Sequence, residues 1–117
     1  MDEEELKCRT KRFALQAMAL VESLPNTQVG RAIGGQLVRS GTSVGANYRA
    51  ACRGRSKAEF AAKLGTVEEE ADESGYWLEL IIEGKLMKEE QVVSLLREAN
   101  EIAAIRAASR KTMARQR

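Results

Sequence analysis

Histidine is absent from this chain, and proline, cysteine and aromatic residues are scarce. Without histidine the protein lacks the most common metal ligand, the usual general base and any Ser-His or Cys-His catalytic pair. The di-iron centres of some helical bundles need Glu-x-x-His motifs, so they are excluded as well. Two carboxylate pairs remain, Glu68 with Asp72 and Glu69 with Glu73, but they lie off the apolar seam of their segment. A solvated face or a salt bridge between subunits explains them better, and we predict no enzymatic activity, no metal and no cofactor.

Cysteine is limited to Cys8 and Cys52, which form no CxxC motif. This usage indicates two reduced thiols. No apolar run approaches the roughly 20 residues that a membrane span requires. The acidic start, Asp2 to Glu5, does not fit a signal peptide. We therefore expect a soluble, cytoplasmic protein with no membrane partner.

Composition favours an all-α protein with one domain. The chain has 117 residues, which suffice for one modest core. Hydrophobic residues make up 44% of it, yet it holds one proline and only a few aromatic residues. Ala, Leu, Ile and Val at helical spacing pack helices better than they build a sheet.

Four segments show the periodicity and caps of amphipathic helices. Pro25 ends the first, Gly54 follows the second, and Ser56 with Glu59 forms a capping box that opens the third. We predict helices at about residues 4–23, 28–53, 57–83 and 88–109. Short links between them predict an antiparallel up-down-up-down four-helix bundle within residues 1–110, followed by a basic, frayed tail at 110–117.

Small residues form a strip along the second segment, at Gly34, Gly41 and Gly45. Such a strip lets another helix approach closely, and we assign it to an oligomer interface. Tyr76, Trp77 and Leu80 lie off the apolar seam of the third segment, where a groove between subunits and peripheral packing within the chain are both open. A nucleotide-binding loop is excluded because the glycines fit neither GxGxxG nor GxxxxGK[ST].

Charge is strongly segregated, although the net charge is only +2. The stretch from Ser23 to Ala58 holds no acidic residue and carries six cations: Arg31, Arg39, Arg49, Arg53, Arg55 and Lys57. On a helix the first four of them fall within an arc of about 80°. The next stretch, Glu59 to Glu90, is strongly acidic. A basic face of this kind requires a polyanion or an acidic neighbour.

Two motifs carry a resemblance to a known family. The stretches QLVRSGTSVGAN at 36–47 and GRSKAEF at 54–60 resemble the four-helix bundle proteins encoded in intervening sequences of bacterial 23S ribosomal RNA genes. That family is in turn similar to the accessory protein of diversity-generating retroelements. The similarity runs from about Leu20 to Ile105. The matching positions are Arg39, Ser43, Asn47, Gly54, Arg55, Ser56 and Phe60.

The resemblance implies an up-down bundle, a barrel-shaped homopentamer, no enzymatic activity and a role involving RNA or a reverse transcriptase partner. This chain departs from many relatives after Asn47, where they have an acidic Ala-Glu-Gly. Here the sequence reads Tyr48 to Gly54 with two arginines, which makes the second helix more basic. Fold follows from such a resemblance more firmly than function does.

Two functions fit these observations. The first is a non-enzymatic oligomer that binds nucleic acid, RNA above all, through the six cations of the acid-free stretch, with little sequence preference. The second is an assembly protein whose basic second helix meets the acidic third helix of a neighbouring subunit or protein partner. Arg39 has a structural alternative in pairing with a carboxylate of the third helix. Ser43 and Asn47 are expected to fix the register through an interhelical hydrogen bond.

Overall fold

The computed structural model describes the backbone of residues 2–115 and the side chains of residues 2–105. It contains four α-helices: α1 (Glu3–Glu22), α2 (Gln28–Cys52), α3 (Lys57–Glu83) and α4 (Glu89–Arg115). The described residues include no strand, which confirms the predicted all-α fold. Helix α4 continues past the predicted end near residue 109, because no glycine or proline interrupts residues 101–115. The predicted frayed, basic tail at 110–117 stays a prediction, and residues 116–117 lie outside the described part.

Side-chain caps set the beginnings of the first three helices. The carboxylate of Asp2 accepts from the backbone amide of Glu5 at 2.8 Å. Thr27 accepts from the amide of Gly30 at 3.0 Å, directly after the break at Pro25. Ser56 accepts from the amide of Glu59 at 3.1 Å. Each cap satisfies an amide that has no partner within its own helix, so these short polar residues fix where the helices start.

Consecutive helices pack against each other in antiparallel pairs. Helix α2 lies between α1 and α3, and α4 packs along α3, while α1 and α4 touch over a shorter stretch. One core fills the centre, and its largest fully buried apolar side chains are Phe13, Leu37, Val44, Leu78, Ile81, Val92 and Ile102. These are the residues that the helical periodicity places inside, and the packing is that of a four-helix bundle.

The glycines of α2 pack against α1 of the same chain. A Cβ atom on Gly41 would lie 3.0 Å from the Cβ of Ala17, and one on Gly34 would lie 3.0 Å from Cγ1 of Val21. A Cβ on Gly45 would lie 3.3 Å from Oγ1 of Thr10. All three glycines are buried in this way. Their assignment to an oligomer interface is therefore corrected: the strip permits close approach of a helix, but α1 occupies it.

Polar contacts fix the arrangement at two places. In the core, the hydroxyl of Ser74 donates to the hydroxyl of Ser40 at 2.8 Å, joining α3 to α2. At the side, Arg9 of α1 donates to Glu98 of α4 at 2.6 and 2.7 Å and to Glu101 at 2.8 Å. The first contact sets the register between α2 and α3, and the second holds α1 to α4 where their packing is short.

Candidate nucleic-acid interface

The basic face of α2 lies opposite its buried face. Leu37 and Val44 are fully buried, whereas Arg31, Arg39 and Arg49 are exposed on the solvent side of the same helix. Arg53 caps the end of α2 and is also exposed. Because α2 is an uninterrupted helix, these cations occupy one side of it, as the helical spacing predicts.

Arg39 is paired within the chain. Its guanidinium forms salt bridges with Glu70, at 3.3 Å, and with Glu73, both on α3. Glu73 also accepts a hydrogen bond from the indole Nε1 of Trp77 at 3.2 Å. The structure therefore shows the alternative that the sequence offered for Arg39, which is pairing with carboxylates of α3. Two carboxylates offset its charge, so Arg39 is a weak candidate for contact with phosphate.

Arg31 lies near the opposite end of α2 from Arg49 and Arg53. Its Nη1 donates to the side-chain oxygen of Asn26 at 3.0 Å, which orients the guanidinium without neutralising it. The 18 residues from Arg31 to Arg49 correspond to about 27 Å along the helix axis. The six predicted residues therefore do not form one cluster.

Four cations gather where α2 turns into α3, and we call this group the basic end: Arg49, Arg53, Arg55 and Lys57. All four are exposed, and none of their side chains has an ion-pair partner among the described residues. The nearby carboxylate of Glu59 accepts a hydrogen bond from the backbone amide of Arg55 at 2.6 Å, so this carboxylate caps the helix. Among the described residues, the basic end thus groups four exposed cations without ion-pair partners within residues 49–57.

The N-terminus of α3 is not an anion site in its own right. Ser56 and Glu59 already occupy its first turn through the capping box. Any anion bound here would be held by the side chains of the basic end. The predicted capping box is therefore present, with Glu59 reaching the amide of Arg55 instead of that of Ser56.

Two reactive side chains near this end are held in their neutral forms. Burial raises the pKa of the Tyr48 hydroxyl well above its usual range. Burial, and to a smaller extent a hydrogen bond with Glu3, also raises the pKa of the Cys52 thiol. Tyr48 lies in the core and offers no ring for base stacking. Cys52 stays a thiol instead of the nucleophilic thiolate, so neither residue adds chemistry to the site.

The aromatic residues of α3 divide between the core and the surface. Trp77 is half-buried against the core, and its ring meets that of Tyr76 edge to face at 5.1 Å. Leu80 is half-buried as well. Tyr76 remains 54% exposed on the acidic side of α3. Among the residues predicted for an interface, Tyr76 thus keeps the largest exposed surface, while Trp77 chiefly packs within the chain.

The register contacts differ from the expected ones. The side-chain amide of Asn47 donates to the carbonyl of Ser43 at 2.8 Å, which is a bond within α2. The interhelical bond comes from Ser40 and Ser74 instead. Both serines lie at apolar positions of their helices, and polar residues at core positions are the signal that could have identified them.

The described residues hold no group of three or more His, Cys, Asp or Glu side chains that could bind a metal ion. In the same part of the chain, each helix is too short or too polar to span a lipid bilayer. Cys8 and Cys52 are free cysteines, the first exposed and the second half-buried.

These features define the protein as an antiparallel four-helix bundle that presents exposed cations at one end. The chain belongs to the 23S rRNA-intervening sequence protein family, whose model matches residues 4–108. It is similar to the crystal structure of a protein of unknown function from the S23 ribosomal protein family of Bacteroides thetaiotaomicron, with a TM-score of 0.86 and 35% sequence identity. That match covers 95% of this chain and 99% of the other. No curated protein matches the chain.

Proposed function

We propose that this protein is a non-enzymatic, oligomeric nucleic-acid-binding bundle that contacts the phosphate backbone, RNA above all, through its basic end. The observation that carries the proposal is the exposure of Arg49, Arg53, Arg55 and Lys57 without acidic partners among the described residues. Arg31 adds a more distant contact, and Arg39 contributes least because Glu70 and Glu73 offset its charge.

Phosphate contact explains the chemistry of this surface better than base reading does. Arginine and lysine neutralise phosphates and release condensed counterions, which gives salt-dependent binding with little sequence preference. The two aromatic residues near the basic end offer little surface on which a base could stack, because Tyr48 is buried and Phe60 is half-buried against the core. RNA and DNA single strands and duplexes should therefore compete for the site.

Oligomerisation, partners and location belong to the same proposal. A homopentamer, which the family resemblance implies, would repeat the basic end five times and increase avidity without new contacts. A reverse transcriptase is a further candidate partner by that resemblance. The free cysteines suit a reducing, cytoplasmic setting.

The test is a binding titration of fluorescently labelled RNA and duplex DNA across a salt series. We expect the logarithm of the affinity to fall linearly with the logarithm of the salt concentration. Replacing Arg49, Arg53 and Arg55 with glutamate should lower the affinity about a hundredfold, because three attractions become repulsions. Light scattering on the same samples measures whether the assembly is retained.

The matched control reverses three exposed cations on other surfaces, Lys63, Lys88 and Arg97. This control variant changes the net charge by the same amount as the basic-end variant but leaves the basic end intact. If the basic end is the site, the control should bind nucleic acid within a fewfold of the unmodified protein. Equal losses in both triple variants would show that only the net charge matters. Unchanged binding by the basic-end variant would refute the proposal.

The acidic surface of α3 supports a second candidate, an assembly protein without nucleic acid. Its exposed residues Glu69, Asp72, Glu79 and Glu83 surround Tyr76. A basic end of a neighbouring subunit, or another basic protein, would complement this surface. Loss of the oligomer in the basic-end variant, together with absence of nucleic-acid binding by the unmodified protein, would favour this candidate.

A further inference from the structure

Helix α1 carries a second ordered row on the side that faces solvent. Its members recur at steps of four and three residues, and all are exposed: Glu4, Cys8, Lys11, Leu15, Met18 and Glu22. We call this row the outer seam. Such heptad spacing is typical of a surface that packs against another helix. The buried residues of α1, among them Phe13 and Ala17, lie on the opposite side and already contact the bundle core.

The centre of the outer seam is apolar. Leu15 is 57% exposed and Met18 is 45% exposed, and they lie one turn apart. A single exposed apolar side chain needs no explanation, but two in the middle of one heptad row form a patch whose burial would be favourable. No described residue covers either of them sufficiently to bury it.

The charges that flank this centre are opposite in sign. Lys11 lies four residues before Leu15, and Glu22 lies four residues after Met18. Neither forms a salt bridge among the described residues. From Lys11 to Glu22 the row is therefore basic at one end, apolar in the middle and acidic at the other end. This part of the row is complementary to itself when its direction is reversed.

We propose that α1 pairs in antiparallel orientation with α1 of a second copy of this chain. A two-fold axis between Leu15 and Met18 places Leu15 of each copy against Met18 of the other. The same axis places Lys11 against Glu22 of the other copy, and the symmetry makes each contact twice. A parallel pair would instead bring Lys11 against Lys11 and Glu22 against Glu22, so the charge pattern selects the antiparallel arrangement.

This contact is small and independent of the nucleic-acid proposal. It uses one face of one helix, which places it at the low end of specific interfaces and makes the association depend on concentration. A two-fold contact does not build a five-fold ring, so this pairing would be additional to any ring contact. It would form pairs of chains, or join two rings.

Sedimentation velocity of the full-length protein over a wide concentration range tests the proposal by charge exchange. We expect a reversible doubling of mass in the unmodified protein. K11E and E22K should each weaken this step about tenfold, because each places like charges opposite each other twice. The K11E/E22K double variant restores opposite charges and should recover the association.

K63E, which reverses an exposed lysine on α3, serves as the control and should leave the doubling unchanged. Circular dichroism verifies that each variant keeps its helical content, which we expect because Lys11 and Glu22 are exposed. A mass that does not double with concentration would overturn the proposal. Single variants without effect, or a double variant that stays as weak as the single ones, would do so as well.

Discussion

At the residue scale, Arg39 shows how one neighbour changes the role of a cation. The sequence places it on the same side of α2 as Arg49, but the structure pairs it with Glu70 and Glu73. Helical spacing gives the direction of Arg39 from the axis of α2. It does not give the rotation of α3, which decides whether a carboxylate lies within reach.

Replacing Arg39 with alanine should therefore affect stability more than binding. We expect a loss of about 0.5–1 kcal/mol, kept small because the guanidinium is partly exposed and screened by solvent. Urea unfolding followed by Trp77 fluorescence measures the loss, and the folded-state emission should shift because Glu73 loses one of its partners.

Arg53→Ala provides the comparison for Arg39→Ala. It should leave the free energy of unfolding nearly unchanged. It should reduce the slope of log affinity against log salt concentration by about one, which corresponds to the loss of one phosphate contact. A larger loss of affinity from Arg39→Ala than from Arg53→Ala would contradict the division of roles that the ion pairs indicate.

Glu98 gives a pH dependence with a defined sign. A hydrogen bond from Arg9, reinforced by its charge, lowers the pKa of Glu98 below its ordinary value of 4.5. The folded state therefore binds the proton less readily than the unfolded state. The stabilisation is present above the ordinary carboxyl pKa, and it is lost as the pH falls through the lower folded-state pKa.

We expect Glu98→Gln to lower the free energy of unfolding at neutral pH by about 1–2 kcal/mol, since it removes a charge-assisted bond. Below the ordinary carboxyl pKa the difference between variant and unmodified protein should shrink. Urea unfolding at a series of pH values measures both effects. A difference that stays constant down to the acid limit would show that the Arg9 contact does not depend on the charge of Glu98.

At the scale of the helices, the sequence predicted most of the architecture. Periodicity, Pro25 and the capping residues predicted four helices, with all four starts and the ends of α1, α2 and α3 close to those observed, and the fold class is confirmed. The 23S rRNA-intervening sequence family, suggested by the motifs around Ser43 and Arg55, is confirmed as well. The partner of the glycine strip could not be predicted, because a small-residue strip shows that a helix approaches closely without showing which one.

Two glycines of α2 make this point testable. Around Gly35 a Cβ would meet nothing within 4 Å, whereas at Gly41 it would lie 3.0 Å from the Cβ of Ala17. Gly35→Ala should stabilise the protein by about 0.5–1 kcal/mol through helix propensity. Gly41→Ala should destabilise it by about 1–3 kcal/mol, because α1 has to move outward.

Thermal and urea unfolding of both variants measures these opposite signs. The two substitutions are the same chemical change in the same helix, so each serves as the control for the other. Stabilisation by Gly41→Ala would mean that α1 does not pack as closely on α2 as the structure shows.

At the scale of the whole molecule, charge separates into regions that the net charge of +2 conceals. The basic end and the acidic surface of α3 belong to one bundle around a shared core, so a partner meets a strongly dipolar body. This separation is predictable from the sequence, because the acid-free stretch and the acidic stretch follow one another in the chain. The sequence did not reveal that four of the six cations of the acid-free stretch gather unpaired at the turn between α2 and α3, whereas Arg39 is paired with α3.

The neighbour-to-neighbour packing of the helices has a kinetic consequence. Each main contact joins helices adjacent in the chain, with α1 on α2, α2 on α3 and α3 on α4. Short loops therefore close most of the native contacts, and the entropy of bringing distant segments together is low. Such local topology favours rapid folding, in which helical hairpins form early and only the meeting of α1 with α4 waits for the chain to be complete.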